Sequence, residues 1–269
     1  MNVVCVGDLG VDRYLPLKLD RPGGIALNFV AHARRLFDPS DRITLVSALG
    51  TDEEAVIARR GIETLDVRAC ITEIAGRTSL QLIDLEPSGE KIFVEYHQGI
   101  LGEFRIGAPE QELISDADLL FAPYYEQIDG FFASIVETPS RGIRAVDFAD
   151  IADRPTTERV EEYGPGFSIA FFGLSSSHRA LIDALETVAR RQNKLFIVTL
   201  GAEGSLALTG GGRLRVPAVS VDQVVDTTGA GDTFAAGFLS EYCRSKGVTR
   251  ALRRGAEEAA RTITHIGAF

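Results

Sequence analysis

Val225-Asp226-Thr227-Thr228-Gly229-Ala230-Gly231-Asp232-Thr233-Phe234-Ala235-Ala236-Gly237-Phe238 is a glycine-centred turn running into an apolar helix. Glycines let backbone N–H groups approach a ligand closely, and unpaired N–H groups at a helix start attract anions. Asp232 is the unexpected member, because a carboxylate repels a phosphate already seated there. The arrangement makes chemical sense if the carboxylate takes a proton from an attacking hydroxyl while the amides hold the phosphoryl group. The local reading is phosphoryl transfer to an alcohol. Gly-x-Gly-Asp by itself is equally a tight turn with Asp as an N-cap, so the partners of this stretch elsewhere in the chain decide.

The 269 residues are 45% apolar and 25% charged, enough for a sizeable core in one large α/β domain. A net charge of −10 argues against nucleic acid or an anionic membrane as the main partner. Cys5, Cys70 and Cys243 are odd in number and widely spaced, the pattern of buried thiols in a reducing compartment. The four histidines show no metal-ligand spacing. The first residues form a strand-like run without a charged leader, and no apolar stretch reaches transmembrane length. The expected location is cytoplasmic.

Short apolar runs alternate with longer amphipathic ones, the α/β pattern. Strands are expected at 2–6, 43–47, 119–122, 143–147, 168–172 and 195–199, and helices at 25–37, 53–60, 128–137, 179–191, 230–245 and 249–265. Residues 205–209 and 213–216 read as a hairpin across Gly210-Gly211-Gly212. Three segments break the alternation: 12–19, and 77–85 with 91–96 across the turn Glu86-Pro87-Ser88-Gly89-Glu90. Half-buried strands not separated by helices point to a small projecting sheet, a lid if the phosphoryl reading holds and an ordinary surface hairpin otherwise. Its unpaired edge leaves room for a homodimer.

Near the start stand Gly7-Asp8-Leu9-Gly10-Val11-Asp12 and Pro22-Gly23-Gly24-Ile25-Ala26-Leu27-Asn28. In a parallel sheet ligands sit beyond strand C-termini, and both segments begin near such a place. Asp12 can accept hydrogen bonds from sugar hydroxyls, Gly23-Gly24 lets the chain pass close to a ring, and Asn28 both donates and accepts. Plain turn chemistry accounts for them equally well in isolation. Together, Gly-x-x-x-x-Asp, Gly-Gly-x-Ala-x-Asn and Asp-Thr-x-Gly-Ala-Gly-Asp-x-Phe resemble the signatures of the ribokinase (PfkB-type) carbohydrate kinases. Weaker likenesses lie at Ala48-Leu49-Gly50-Thr51-Asp52 and Val198-Thr199-Leu200-Gly201-Ala202-Glu203-Gly204-Ser205.

The resemblance implies a three-layer α/β/α sandwich with a small β-sheet lid, formed by a single domain over 1–269 with lid strands inserted at about 12–20 and 77–97. It implies ATP and Mg²⁺, with Asp232 as general base and the amides of Gly229, Ala230 and Gly231 as an anion hole for the γ-phosphate. Asp12, Gly23, Gly24 and Asn28 carry over as sugar ligands. Thr199, Gly201 and Gly204 belong to the nucleotide side, and Ala256, Ala259 and Ala260 are the small residues leaving room for adenine. Asp226 and Thr228 match positions that bind a monovalent cation, K⁺, in ribokinase-like members. One departure concerns Asn-x-x-Glu, which assists the Mg²⁺ network in the family; Gly173 and Ser176 stand at its two positions.

Val146-Asp147-Phe148-Ala149-Asp150, Tyr96-His97-Gln98-Gly99 and the ending from Ala260 to Phe269 look most like the fructoselysine 6-kinase (fructosamine kinase) branch. The acceptor would then be a sugar-amine. Ribokinase, fructokinase and nucleoside kinase remain alternatives, an aromatic-lined lid favouring the last. A non-catalytic sugar or nucleotide sensor is the rival from another class. With no Gly-Lys dipeptide and no Gly-x-Ser-x-Gly in the chain, Walker-type P-loop and hydrolase-elbow chemistry are excluded.

Overall fold

The computed structural model describes residues 1–86, 91–149 and 151–269. Most of the expected turn at 86–90, and Asp150, lie outside the described residues. Thirteen strands and eight α-helices follow in chain order among the described residues: β1 (Asn2–Val6), β2 (Gly10–Tyr14), β3 (Leu19–Gly23), α1 (Ile25–Leu36), β4 (Arg42–Leu49), α2 (Glu53–Glu63), β5 (Arg68–Glu73), β6 (Ser79–Leu85), β7 (Lys91–His97), α3 (Ala108–Ser115), β8 (Leu119–Tyr124), α4 (Asp129–Glu137), β9 (Ile143–Phe148), α5 (Glu158–Glu162), β10 (Ile169–Gly173), α6 (Arg179–Gln192), β11 (Leu195–Thr199), β12 (Ser205–Thr209), β13 (Gly212–Val216), α7 (Ala230–Ser245) and α8 (Val248–Thr262).

Nine strands form one sheet in the order β13-β12-β11-β10-β9-β8-β1-β4-β5. Its strands from β11 to β5 run parallel, and the β12–β13 hairpin adds the antiparallel edge. Central strands such as β1 are apolar on both faces, as a sheet covered on two sides requires. One face packs against α4 and α6 through Phe131, Phe132, Leu181 and Leu185. The other carries α1, α7 and α8 through Leu27, Val30, Phe234, Phe238 and Leu252. The result is the expected three-layer α/β/α sandwich.

The small sheet has the order β3-β2-β6-β7. The alternating segment expected over 12–19 is instead a hairpin, β2 paired with β3 around a turn at 15–18. Pro16 supplies no ladder N–H, and Lys18 takes a positive φ of 49°, so the strand cannot continue. Edge strand β5 and the short helices α3 and α5 also escaped the sequence reading. In β5 the reason is visible: exposed Arg68 and Ala69, then half-buried Cys70, make no buried apolar run.

Asp52 ties the two sheets together. Its carboxylate accepts from the Ala55 amide (3.1 Å) at the start of α2. It also accepts from the Thr78 amide (2.8 Å) and hydroxyl (2.7 Å), just before β6. The turn after β4 therefore sets where the small sheet leaves the large one.

Candidate active site

A cleft of about 460 Å³ opens where β1, β9, β10 and β11 end, with the small sheet over it. Asp8 and Asp12, Gly24 and Asn28, Asp147, Gly173, Thr199, and Thr228, Gly229, Gly231 and Asp232 all line it. The sequence signatures from both ends of the chain thus meet in one place, beyond the carboxyl ends of parallel strands.

Helix α7 starts at this cleft because Gly229 adopts a left-handed φ of 75°, a conformation glycine reaches without strain. A Cβ on Gly229 would lie 2.3 Å from the Cβ of Ala268, whereas one on Gly231 would meet nothing within 4 Å. Gly231 therefore leaves open space at the helix N-terminus. Ala230 does not line the cleft, and its N–H is turned to the Thr227 carbonyl at 3.3 Å. Behind the turn, Gly237 of α7 and Gly255 of α8 let the two helices approach closely: a Cβ on Gly255 would sit 2.9 Å from the Phe234 carbonyl. Ala256 belongs to that apolar core and Ala259 packs against it. Neither lines the cleft, and both contribute to helix packing. Of the nucleotide-side turn only Thr199 reaches the cleft; Gly201 and Gly204, both at positive φ, do not.

Asp232 is buried, and its Oδ2 accepts from Asn28 Nδ2 at 2.7 Å. Burial raises its pKa to about 6, opposed by the Asn28 hydrogen bond and the charge of Lys91, with nearby Asp8 adding to the rise. Asn28 itself is buried on α1, and its Oδ1 has no hydrogen-bond partner. Asp12 on β2 reaches about 8, first through burial and then through Asp8 and Asp232. Gly23 does not line the cleft; it makes room for Asp12, since a Cβ there would lie 2.3 Å from the Asp12 Cγ. Gly24, at φ 113°, precedes α1. The first amides of that helix, Ile25 and Ala26, donate to Asp8 at 3.0 and 3.1 Å.

Sequence reasoning left several cleft residues without a role, among them Asp147, Lys91 and Tyr96. Asp147, at the end of β9, is buried and also raised to about 8, by burial first and then by Asp232. Lys91 on β7 is the one cation lining the cleft among the described residues. Its backbone N–H (3.4 Å) and Nζ (3.5 Å) donate to Thr227, joining the small sheet to the glycine turn. Tyr96 of β7 meets Tyr125 edge-on, with hydroxyls 2.6 Å apart. Lys91 stands directly after the expected lid turn, but no motif singles it out. At the Asn-x-x-Glu positions, Gly173 faces the cleft with open space around it and Ser176 is exposed.

Asp226 differs from all of these. It is fully buried and does not line the cleft. Oδ2 accepts from the Tyr14 hydroxyl and the Gly267 amide, each at 2.8 Å, and Oδ1 accepts from the Thr228 amide at 2.8 Å. Burial pushes its pKa up, but the surrounding donors outweigh this and hold it below the ordinary carboxylate value. A cation needs oxygen lone pairs turned towards it; three of roughly four acceptor positions here already receive hydrogen atoms. The Asp226 carboxylate therefore does not fit the monovalent-cation role that the resemblance assigns it.

Residues 168–269 match the pfkB family of carbohydrate kinases. The whole chain is 31% identical to the fructosamine kinase FrlD of Bacillus subtilis, covering 93% of that protein. This chain belongs to the pfkB family. Over its full length the pfkB kinase is also 27% identical to the fructoselysine 6-kinase of Escherichia coli K12, covering 99% of it. Among solved structures, the adenosine kinase of Sinorhizobium meliloti superposes with a TM-score of 0.84 at 21% identity, over 99% of this chain and 95% of that one. The ribokinase of Thermotoga maritima gives 0.76 at 20%, over 99% and 94%. These confirm the ribokinase-like fold. As a pfkB carbohydrate kinase the chain uses ATP, and among its described residues no helix is long and apolar enough to cross a membrane.

Proposed function

We propose that this pfkB kinase transfers the γ-phosphate of ATP to a hydroxyl of a sugar-amine of the fructoselysine class, with Asp232 as general base. The observation that carries the mechanism is the placement of Asp232: buried, facing the cleft, on the first turn of α7 beside Gly229 and Gly231. Asn28 holds the carboxylate by one oxygen and leaves the other for the acceptor hydroxyl. A pKa of about 6 keeps the group ionised at neutral pH yet basic enough to take the proton as the oxygen attacks. The cleft amides at Gly229 and Gly231, at a helix N-terminus, receive the developing phosphoryl charge. Asp12 and the unpartnered Asn28 Oδ1 accept from sugar hydroxyls, and Gly24 lines the passage beside them.

Mg²⁺ supplies charge neutralisation on the phosphates when bound. Among the described residues no three His, Cys, Asp or Glu side chains group as a metal cage; the ion would be held mainly through the phosphates of ATP and water. Asp147, whose carboxylate faces the cleft, is the oxygen donor offered by the protein where Gly173 offers none. Lys91 balances part of the phosphate charge, and Thr199 with Gly173 marks the side from which the nucleotide enters. We read the chain as one domain, the small sheet serving as lid. Its edge strand β7 exposes Ile92, Phe93 and Val94 at 44%, 57% and 52%, a surface suited to a second copy of this lid.

The full-length similarity to a fructosamine kinase and a fructoselysine 6-kinase supports the acceptor class. A nucleoside acceptor is the second reading, favoured by Phe93, Tyr96 and Tyr125 lining the cleft. ADP release from Mg-ATP, measured across fructoselysine, fructose, ribose and adenosine, separates the two. Turnover with fructoselysine alone is the expected result. Turnover confined to adenosine would overturn the sugar-amine assignment, and silence on all four would point to a different acceptor.

A further inference from the structure

We propose that Tyr14 is a positioning residue whose hydroxyl, in place of a monovalent cation, fixes the carboxylate that holds the glycine turn. Tyr14 is the last residue of β2 and completely buried. Asp12 lies two residues earlier, so both side chains leave the same face of the strand. Asp12 lines the cleft; Tyr14 reaches deeper and donates to Asp226 Oδ2.

Asp226 is the hub of the turn. Through Oδ1 it fixes the Thr228 amide, the residue before Gly229. Through Oδ2 it takes the Gly267 amide from the C-terminal segment. That segment also carries the Ile263 carbonyl, which accepts from Val225 at 2.8 Å, and Ala268, which packs on Gly229. A buried carboxylate is costly unless its charge is met by donors. Here two amides and one phenol meet it, and only the phenol comes from the small sheet. The link therefore sets the strand that carries Asp12 against the turn that carries Gly229 and Gly231. Acceptor and phosphoryl positions are held in register by this chain's own hydroxyl, and no bound cation is needed for it.

The inference rests on the reading that this turn receives the phosphoryl group, so its test includes a measurement without turnover. The magnesium complex of the βγ-imido analogue of ATP is titrated calorimetrically into the protein in potassium chloride and in tetramethylammonium chloride at equal ionic strength. Turnover with the active acceptor is followed in the same two salts. For the native protein both quantities should agree within about twofold between salts. Tyr14→Phe keeps the ring and removes one oxygen. Loss of a hydrogen bond to a charged group corresponds to roughly tenfold or more, expected in kcat and in analogue affinity, with the acceptor KM within about twofold. Tyr14→Phe combined with Asp226→Asn should lose no more than the worse single variant, because both break one link. Several-fold activation or tighter analogue binding in potassium, a native kcat in Tyr14→Phe, or additive losses would each overturn the proposal. The native protein's salt comparison stands even if Tyr14→Phe does not fold. Silence with every acceptor would count against the kinase assignment alone, while the calorimetry still decides on Tyr14.

Discussion

Asp226 and Asp232 stand six residues apart in one motif, yet they live in opposite environments. Both are buried. Asp226 receives three hydrogen bonds and is held below the ordinary carboxylate range, while Asp232 receives one and is raised to about 6. Burial raises both, more strongly at Asp232, where the charge of Asp8 adds to it; at Asp226 the donors outweigh burial, and at Asp232 the single Asn28 bond does not. The first becomes an anchor that never gives up its charge, and the second a base that can accept a proton. Two like residues pushed apart in proton affinity are the pattern by which acid–base roles are assigned.

The widest break in this contrast is Asp232→Asn. It removes the base while keeping the Asn28 neighbour, and the turnover number should fall by about 10²–10⁴. ATP affinity should stay close to native and the melting temperature should not fall, because the new amide oxygen can keep the Asn28 bond and a charge disfavoured by burial is removed. A variant retaining most of its turnover would remove Asp232 from the chemistry.

The two glycines between the aspartates sharpen the comparison by a smaller amount. Gly229→Ala places a Cβ at positive φ and against Ala268, and should destabilise the fold by roughly 1–2 kcal/mol. Gly231→Ala meets no atom within 4 Å and gains helix propensity, so denaturant unfolding should show native or slightly raised stability. Its methyl group enters the cleft, and turnover should fall all the same. Equal stability losses in the two variants would contradict the assigned geometry.

A contrast visible only as a pH dependence concerns Asp147. Its folded pKa of about 8 lies above the ordinary carboxylate value, so the folded chain binds more protons than the unfolded one between about pH 4 and 8, and stability falls as pH rises through that window. Asp147→Asn removes this share. Its melting temperature should therefore decline less than the native one between about pH 5 and 8. An unchanged difference across that range would show that the carboxyl is not destabilised by burial.

Much of the large sheet was legible because buried parallel strands such as β1 and β11 are written as continuous apolar runs, and the expected boundaries of both coincide with the observed ones. Helix α7 was legible for the same kind of local reason: a glycine turn, then a small-residue helix. The hairpin of β2 and β3 was not, because the polarity alternation continues through Pro16 although the ladder cannot. Nor was the close approach of α7 and α8 at Gly255, since small residues on a helix mark close packing and ligand space identically. Asp12, Asn28 and Asp232 were found through motifs at distant points of the chain. Lys91, Asp147 and Tyr14 acquire meaning only through contacts across 136 residues to Thr227, through the charge of Asp232, and across 212 residues to Asp226, which no local pattern carries.

The most direct measurement is a site-resolved titration of the aspartate carboxyl carbons by NMR, with Asp226→Asn and Asp232→Asn used to assign the two signals. The Asp232 carbon should inflect at about pH 6, while the Asp226 carbon should remain that of an ionised carboxylate to below the ordinary range. Two carbons titrating together near the ordinary value of about 4, or in the reverse order, would contradict this contrast.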